Sequence, residues 1–370
     1  MINNLIPTIG LMSGTSMDGI DCSLVYTNGI DLEKTEYNSC TPYTKKTLLL
    51  LEEAVLDPLL FLKNKLKLIK LTKLITEEHS LVIKKLIHNS SIQPKLIGFH
   101  GQTIHHNPRN KTSIQIGDGK FLGKLFKTNI VFNFRENDLL HGGEGAPLAP
   151  IYHKHILIKL NLKLPSCVVN IGGISNISYW DGSLLHGFDT GPGNNLMDKF
   201  MKLRFGKPFD LNGNISSYGS VKHELVNEFC NSVYYKIKKP KSLDINQLIT
   251  NDLWNKIYEL NSYDAMATLC FITAKTIVKG TKCFFNSPKN ILIFGGGQKN
   301  ITLIKMIKSL TKISIFTGDD FNIDSNFVEA ELIAFLSARR NFNLPITFPT
   351  TTGVEYPISG GILYKYSNLY

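Results

Sequence analysis

Residues 187–195 read GFDTGPGNN and hold one carboxylate, Asp189, among three glycines, a proline and two asparagines. An acid on so open a segment has two uses. It can close an Asx turn by bonding its own backbone two residues on. It can also face a ligand, as a base or an electrostatic anchor. The flanks point to the second use, because VVNIGGISNISYW upstream is strand-like and LMDKFMKLRFG downstream begins a helix. A carboxylate between a strand and a helix N-terminus occupies a common place of approach to a ligand.

Glycine is concentrated directly after apolar, strand-like runs, and three of these turns suit phosphate chemistry. Without Cβ atoms, backbone N–H groups can close around an anion. SGTSMDG, residues 13–19, adds the hydroxyls of Ser13, Thr15 and Ser16, and the carboxylate of Asp18 is a hard oxygen donor suited to hydrated Mg²⁺. NIGGISN places Gly172 and Gly173 in a similar turn. GGGQKN places Gly295, Gly296 and Gly297 at the start of a helix, where a nucleoside can lie against backbone. The chain has no G-x-x-x-x-G-K-[ST], no G-x-G-x-x-G after a strand and no G-x-S-x-G, which argues against P-loop, simple Rossmann and hydrolase-elbow chemistry. The histidine pairs at 105–106 and 153–155 lack the H-E-x-x-H spacing of a zinc site.

These turns need elements to hold them. PTIGLMSGTSMDGIDCSLVYT reads as strand, glycine turn, strand, with the second strand over 20–26, and SCVVNIGGISNISYW repeats the pattern over 166–180. Further strands over 96–100, 130–134 and 290–294 alternate with helical sequence, which predicts an α/β fold. The echoed hairpins predict two similar domains with a nucleotide held in a cleft between them. At 370 residues, 43% hydrophobic and 19% charged, the chain is long enough for both.

The formal charge of +11 raises nucleic acid as a partner. Much of the excess lies in one amphipathic helix, with Leu68, Leu71, Ile75, Val82 and Leu86 on one face and Lys63, Lys67, Lys70, Lys73, Lys84 and Lys85 on the other. Its lysines are not interleaved with stacking aromatics, so nucleic acid is not expected and an anionic small substrate is. Six scattered cysteines without a C-x-x-C read as reduced thiols of a cytoplasmic protein. No signal peptide and no membrane-length apolar run is read from the sequence.

Taken together, GLMSGTSMDGIDCSLV, FHGQTIHHNP, IQIGD, GGEGAPLAP, NIGGISNI, GFDTGPGNNLMD, GGGQKN and EAELIAFL resemble, in order and spacing, the anhydro-N-acetylmuramic acid kinases. The similarity runs from about residue 9 to the C-terminus. It implies two ribonuclease-H-like domains in the arrangement shared by actin, hexokinase and the large heat-shock chaperones. It also implies a homodimer that uses ATP and Mg²⁺ to open a 1,6-anhydro sugar with water while phosphorylating O6. By the resemblance, Asp189 is the catalytic base. Gly14, Thr15, Ser16, Met17, Asp18, Gly19, Ile20 and Asp21 serve the phosphates, with Asp18 on Mg²⁺. Gly172, Gly173, Gly295, Gly296, Gly297 and Asn300 bind nucleotide, and Thr103, Arg135, Thr190 and Gly191 bind substrate. For Arg135 a surface ion pair with Asp138 is the alternative use. The expected domains are 1–133 and 134–344, with a tail over 345–370 packing back on the first.

The chain departs from the family pattern in four places. Asn133 replaces a carboxylate, Glu136 stands where a basic residue is common, and Glu144 stands where glutamine is usual. PKSLDIN, residues 240–246, lacks a Thr-Gly-Arg. A kinase for another amino sugar and a non-catalytic actin-like nucleotide switch are the alternative readings.

Overall fold

The computed structural model describes residues 4–14, 17, 19–232 and 249–367. Thr15, Ser16, Asp18 and the 240–246 segment lie outside them. The chain divides into two compact units, one of residues 1–155 and 326–370, the other of 156–325.

In the first unit, β1 (Ile6–Ser13), β2 (Ile20–Thr27) and β3 (Leu32–Thr41) form an antiparallel meander. Helices α1 (Lys45–Leu56), α2 (Pro58–Lys63) and α3 (Lys65–Ser90) lead to β4 (Leu96–Asn107), which returns parallel to β1. Strand β5 (Thr112–Ile116) folds back on β4, and α4 (Gly119–Phe126) leads to β6 (Asn129–Phe132), parallel to β4. Short α5 (Glu136–Leu140) and α6 (Pro150–Lys159) follow. The lysine-rich helix forms as α3, with Leu71, Ile75, Val82 and Leu86 buried, while Lys63 closes α2. Strand β6 stops short of the expected 130–134 because Asn133 turns into the left-handed region at φ 56°.

The second unit repeats the plan. Strands β7 (Ser166–Ile171), β8 (Ile174–Trp180) and β9 (Leu185–Pro192) form the meander. Then come α7 (Asn195–Phe205), α8 (Asn214–Ser217), α9 (His223–Cys230), α10 (Asn251–Glu259) and α11 (Ser262–Thr281). Strand β10 (Asn290–Phe294) runs parallel to β7, and α12 (Ile301–Leu310) leads to β11 (Ser314–Thr317), parallel to β10. The sheet order is β11-β10-β7-β8-β9, matching β6-β4-β1-β2-β3 of the first unit strand for strand. This is the repeated ribonuclease-H-like α/β plan. Every residue of β10 is buried, as a central parallel strand covered on both faces requires.

The chain ends in the first unit, with α13 (Val328–Asn341) across its sheet and β12 (Ile362–Tyr364) antiparallel to β6. The expected boundary after residue 133 therefore falls inside the first unit, and 326–344 groups with the first unit rather than the second. The reason is close packing. Gly10 on β1 lets α13 sit so near that a Cβ there would lie 1.9 Å from the Ala330 carbonyl oxygen. Within α13, Glu331 is buried and accepts from Tyr152 Oη and Lys34 Nζ, both at 2.7 Å.

Candidate active site

Strand β9 carries Asp189 at a break in its register with β8. Ser175 pairs with Gly191 and Asn176 with Asp189, so Thr190 is the extra residue of a bulge. Asp189 is 8% exposed, and across from it the side-chain oxygen of Asn176 is buried without a hydrogen-bond partner. Thr190 goes into the fold: it is 2% exposed, its hydroxyl donates to the Ser175 carbonyl at 3.1 Å, and its methyl packs at Gly280 of α11. These contacts hold the bulge.

The end of β9 is stitched to the glycine turn after β7. The N–H groups of Gly193 and Asn195 donate to the Gly173 carbonyl at 2.9 and 3.2 Å, and that of Asn194 to the Gly172 carbonyl at 2.8 Å. The contact tolerates no side chain, because a Cβ on Gly193 would lie 2.1 Å from the Gly172 oxygen. The third turn joins them: Gly297 packs on Ile171, and Gly296 lies beside the Asn194 side chain. Asp189, Gly191, Gly172, Gly173 and Gly295–Gly297 are thus brought to one end of one sheet, at the N-terminus of α7. Asn300 is placed differently from expectation. Its side-chain oxygen caps α12 by accepting from Leu303 N–H at 2.9 Å, so it fixes the helix that follows the turn.

In the first unit, the 13–19 turn is anchored at Gly14, whose carbonyl accepts from Met17 N–H at 3.2 Å and from Gln102 Nε2 at 3.0 Å. Tyr43 Oη in turn donates to Gln102 Oε1 at 3.3 Å. Met17 takes φ 59°, and Gly19 lies tight against the Thr41 carbonyl. Ile20 is a core side chain at 0% exposure, so only its backbone can face a ligand, and Asp21 follows it on β2 opposite Cys40. Ser13, read as a phosphate donor, is instead 1% exposed and bonded to His79 Nε2 at 3.0 Å. The Nδ1 of His79 meets the Ile75 carbonyl at 2.7 Å, which fixes the proton on Nδ1 and makes Nε2 the acceptor. Burial holds this ring neutral, its pKa lowered to about 4.

Thr103 on β4 accepts from Gln115 Nε2 at 3.3 Å. Arg135 donates from Nη1 to the Gly145 carbonyl at 2.7 Å and from Nη2 to His100 Nε2 at 3.2 Å. His100 must then carry its proton on Nδ1, which faces the Gly101 carbonyl at 2.9 Å. Burial first, and the Arg135 charge second, lower its pKa to about 3. Asp138 has other work: fully buried, it accepts from Gly145 N–H and Thr352 Oγ1, both at 2.6 Å. It folds the GGEGAP loop. Gln102, Asp138, His79 and His100 were not singled out as site residues from the sequence. Gln102, His100 and Asp138 were signalled there only as polar residues in or beside glycine motifs, and His79, within the lysine-rich helix, carried no such signal.

The family model described as anhydro-N-acetylmuramic acid kinase matches residues 7–366. The chain belongs to that family. Curated anhydro-N-acetylmuramic acid kinases similar to it include one from Rhodopseudomonas palustris, 34% identical with 98% of this chain and 100% of the relative covered. Those from Pelagibacter ubique (35%, covering 97% and 98%) and Zymomonas mobilis (36%, covering 96% and 99%) are comparable. Two of the departures from the anhydro-N-acetylmuramic acid kinase pattern touch each other here, since Asn133 Nδ2 donates to the Glu136 carboxylate. Among the described residues no helix is long and apolar enough to cross a membrane. The six cysteines are unbridged.

Proposed function

We propose that this protein opens the 1,6-anhydro bridge of 1,6-anhydro-N-acetylmuramic acid with water and transfers the γ-phosphoryl group of ATP to O6. The product is N-acetylmuramic acid 6-phosphate, an intermediate of cell-wall recycling. Membership of the kinase family supports the reaction, and the placement of Asp189 carries the mechanism. Acetal cleavage ordinarily uses one carboxyl group to activate water and a second to protonate the departing oxygen. Here the departing O6 takes a phosphoryl group in place of a proton, so one base suffices. Asp189 removes a proton from the water that bonds to C1 as the C1–O6 bond breaks.

A buried carboxylate at a bulge is held in one orientation, which is what proximity catalysis needs. The Gly295–Gly297 turn and the first turn of α7 beyond Asn195 are assigned to the phosphate oxygens, since the N–H groups of Gly193, Asn194 and Asn195 are already bonded to the Gly172 and Gly173 carbonyls. Asp18 is assigned to Mg²⁺, which neutralises phosphate charge when bound, and a lone carboxylate with hydroxyl neighbours fits an ion that keeps most of its water. Arg135, held by Gly145 and His100, is assigned to the sugar's lactyl carboxylate, and Thr103 to the same substrate. A cytoplasmic homodimer is part of the same reading.

The test is an incubation with 1,6-anhydro-N-acetylmuramic acid and ATP·Mg²⁺ in ¹⁸O-labelled water, read by mass spectrometry. A 6-phosphate carrying ¹⁸O at C1 is expected. Phosphorylated product without the label, or no product with ATP bound, overturns the proposal.

A further inference from the structure

At the other edge of the second unit's sheet, Lys282, Lys289 and Lys312 line a concavity of about 370 Å³ together with the hydroxyl-bearing Thr281, Ser287 and Thr311. None of its lining residues is acidic. It lies where β10 begins, at Asn290, whereas the glycine turns follow the strand's end at Phe294. Five strand residues, roughly 15 Å, separate the two. We propose that this concavity is a second binding site, for a phosphate dianion or a phosphate monoester.

Charge arithmetic is the main argument. The last residue or cap of α11 (Thr281, Lys282) and the cap of α12 (Thr311) both line the concavity, so two helix C-termini end there. Each C-terminus carries roughly half a negative charge, about one in total. Three ammonium groups therefore exceed what the helix ends neutralise by about two charges. Among the described residues none of the three side chains enters an ion pair. A phosphate monoester carries about −1.5 to −2 near neutral pH, which matches the surplus.

The frame beneath the lysines is fixed. Lys289 N–H donates to the Pro165 carbonyl at 2.7 Å, and Ser314 N–H donates to the Lys289 carbonyl at 3.2 Å. The Asn290 side chain donates to the Lys163 carbonyl at 2.8 Å. One of the three cations, Lys289, thus stands on backbone tied at both its N–H and its carbonyl to the starts of β7 and β11.

The experiment titrates the full chain with inorganic phosphate and, separately, with glucose 6-phosphate. Ionic strength is held constant with chloride, and backbone amide shifts are read by NMR. The expected result is saturable shifts over 282–289 and 311–314 with a dissociation constant below about 1 mM. In a Lys289→Gln/Lys312→Gln variant the affinity drops at least about tenfold, while kinase turnover without added phosphate is unchanged. Tighter binding of the sugar phosphate identifies a metabolite site; equal binding identifies a site for the phosphate group alone. Shifts that stay linear in phosphate, or that saturate identically in the variant, overturn the inference. The result does not depend on the reaction proposed above, because the substituted lysines lie at the far edge of the sheet from Asp189.

Discussion

Asp189 and Asn176 face each other across β9 and β8, immediately beside the point where Thr190 breaks the register. Without that extra residue, the strand's two-residue alternation would carry on through Gly191. The bulge uncouples the acid from the alternation, and the Thr190–Ser175 hydrogen bond pins it. The Asn176 oxygen opposite is buried without a hydrogen-bond partner among the described residues.

Replacing Asp189 with Asn keeps the shape and removes the base. Turnover is expected to fall by about 10³-fold, in the range that general-base catalysis contributes. ATP affinity, measured by calorimetry, stays within about twofold, since the turns assigned to the phosphates in the proposed function are untouched. A variant retaining more than a tenth of wild-type kcat would remove Asp189 from the base role.

Gln102 is expected to govern the phosphate turn from beneath. Gln102→Leu removes the donor to the Gly14 carbonyl and the acceptor of the Tyr43 hydroxyl bond, at a cost of about 1–3 kcal/mol in urea unfolding. The KM for ATP should rise about tenfold, as a loosened turn binds phosphate less well. A stability loss with unchanged KM would make Gln102 a structural residue only.

The chemistry-bearing residue types were legible before any coordinates. Asp189 and the glycine turns of the second unit could be read from their order, and the echoed hairpins foretold the matching sheets. Side-chain commitments were not legible. Ser13 looks like a phosphate donor until β1 is placed over α3, where its hydroxyl meets His79. The helix after Asn300 is legible in the sequence, but not that the Asn300 side-chain oxygen serves as its cap. The unit boundary was missed for the same reason: α13 reads as a good helix, but which sheet it covers depends on Gly10 and Gly98, far away in sequence. Such long-range pairings leave no local periodicity.

Asn133 and Glu136 are expected to be coupled. Asn133→Asp keeps a residue type that tolerates φ 56°, but sets a carboxylate against the Glu136 carboxylate. At this solvent-accessible site the loss should be modest, about 0.5–1.5 kcal/mol. Adding Glu136→Arg to Asn133→Asp should restore stability by rebuilding the acid–base pair, giving a favourable interaction energy in the double-mutant cycle. Strict additivity would show that the two departures arose independently of this contact.

Acid sensitivity follows from the buried histidines. Burial lowers the pKa of His79 to about 4 and of His100, His106 and His153 to about 3, against 6.5 unperturbed. With a folded pKa below the unfolded one, each ring binds a proton more readily in the unfolded chain. The stability each contributes is complete above about pH 6.5 and is lost as pH falls toward the folded values. One group opposes this: Asp198, raised to about 6 by burial and then by Asp210, takes up its proton in the folded state first. Four histidines against one carboxyl leave up to about three protons, an upper slope on the order of 4 kcal/mol per pH unit. Against a stability of roughly 5–15 kcal/mol, that predicts a steep fall in the urea midpoint between pH 7 and pH 5. His79→Gln should flatten the slope by about one proton while lowering stability at pH 7. A midpoint constant from pH 7 to pH 5 would mean these rings accept protons in place, and that the neutral Ser13–His79–Ile75 chain is not what holds β1 to α3.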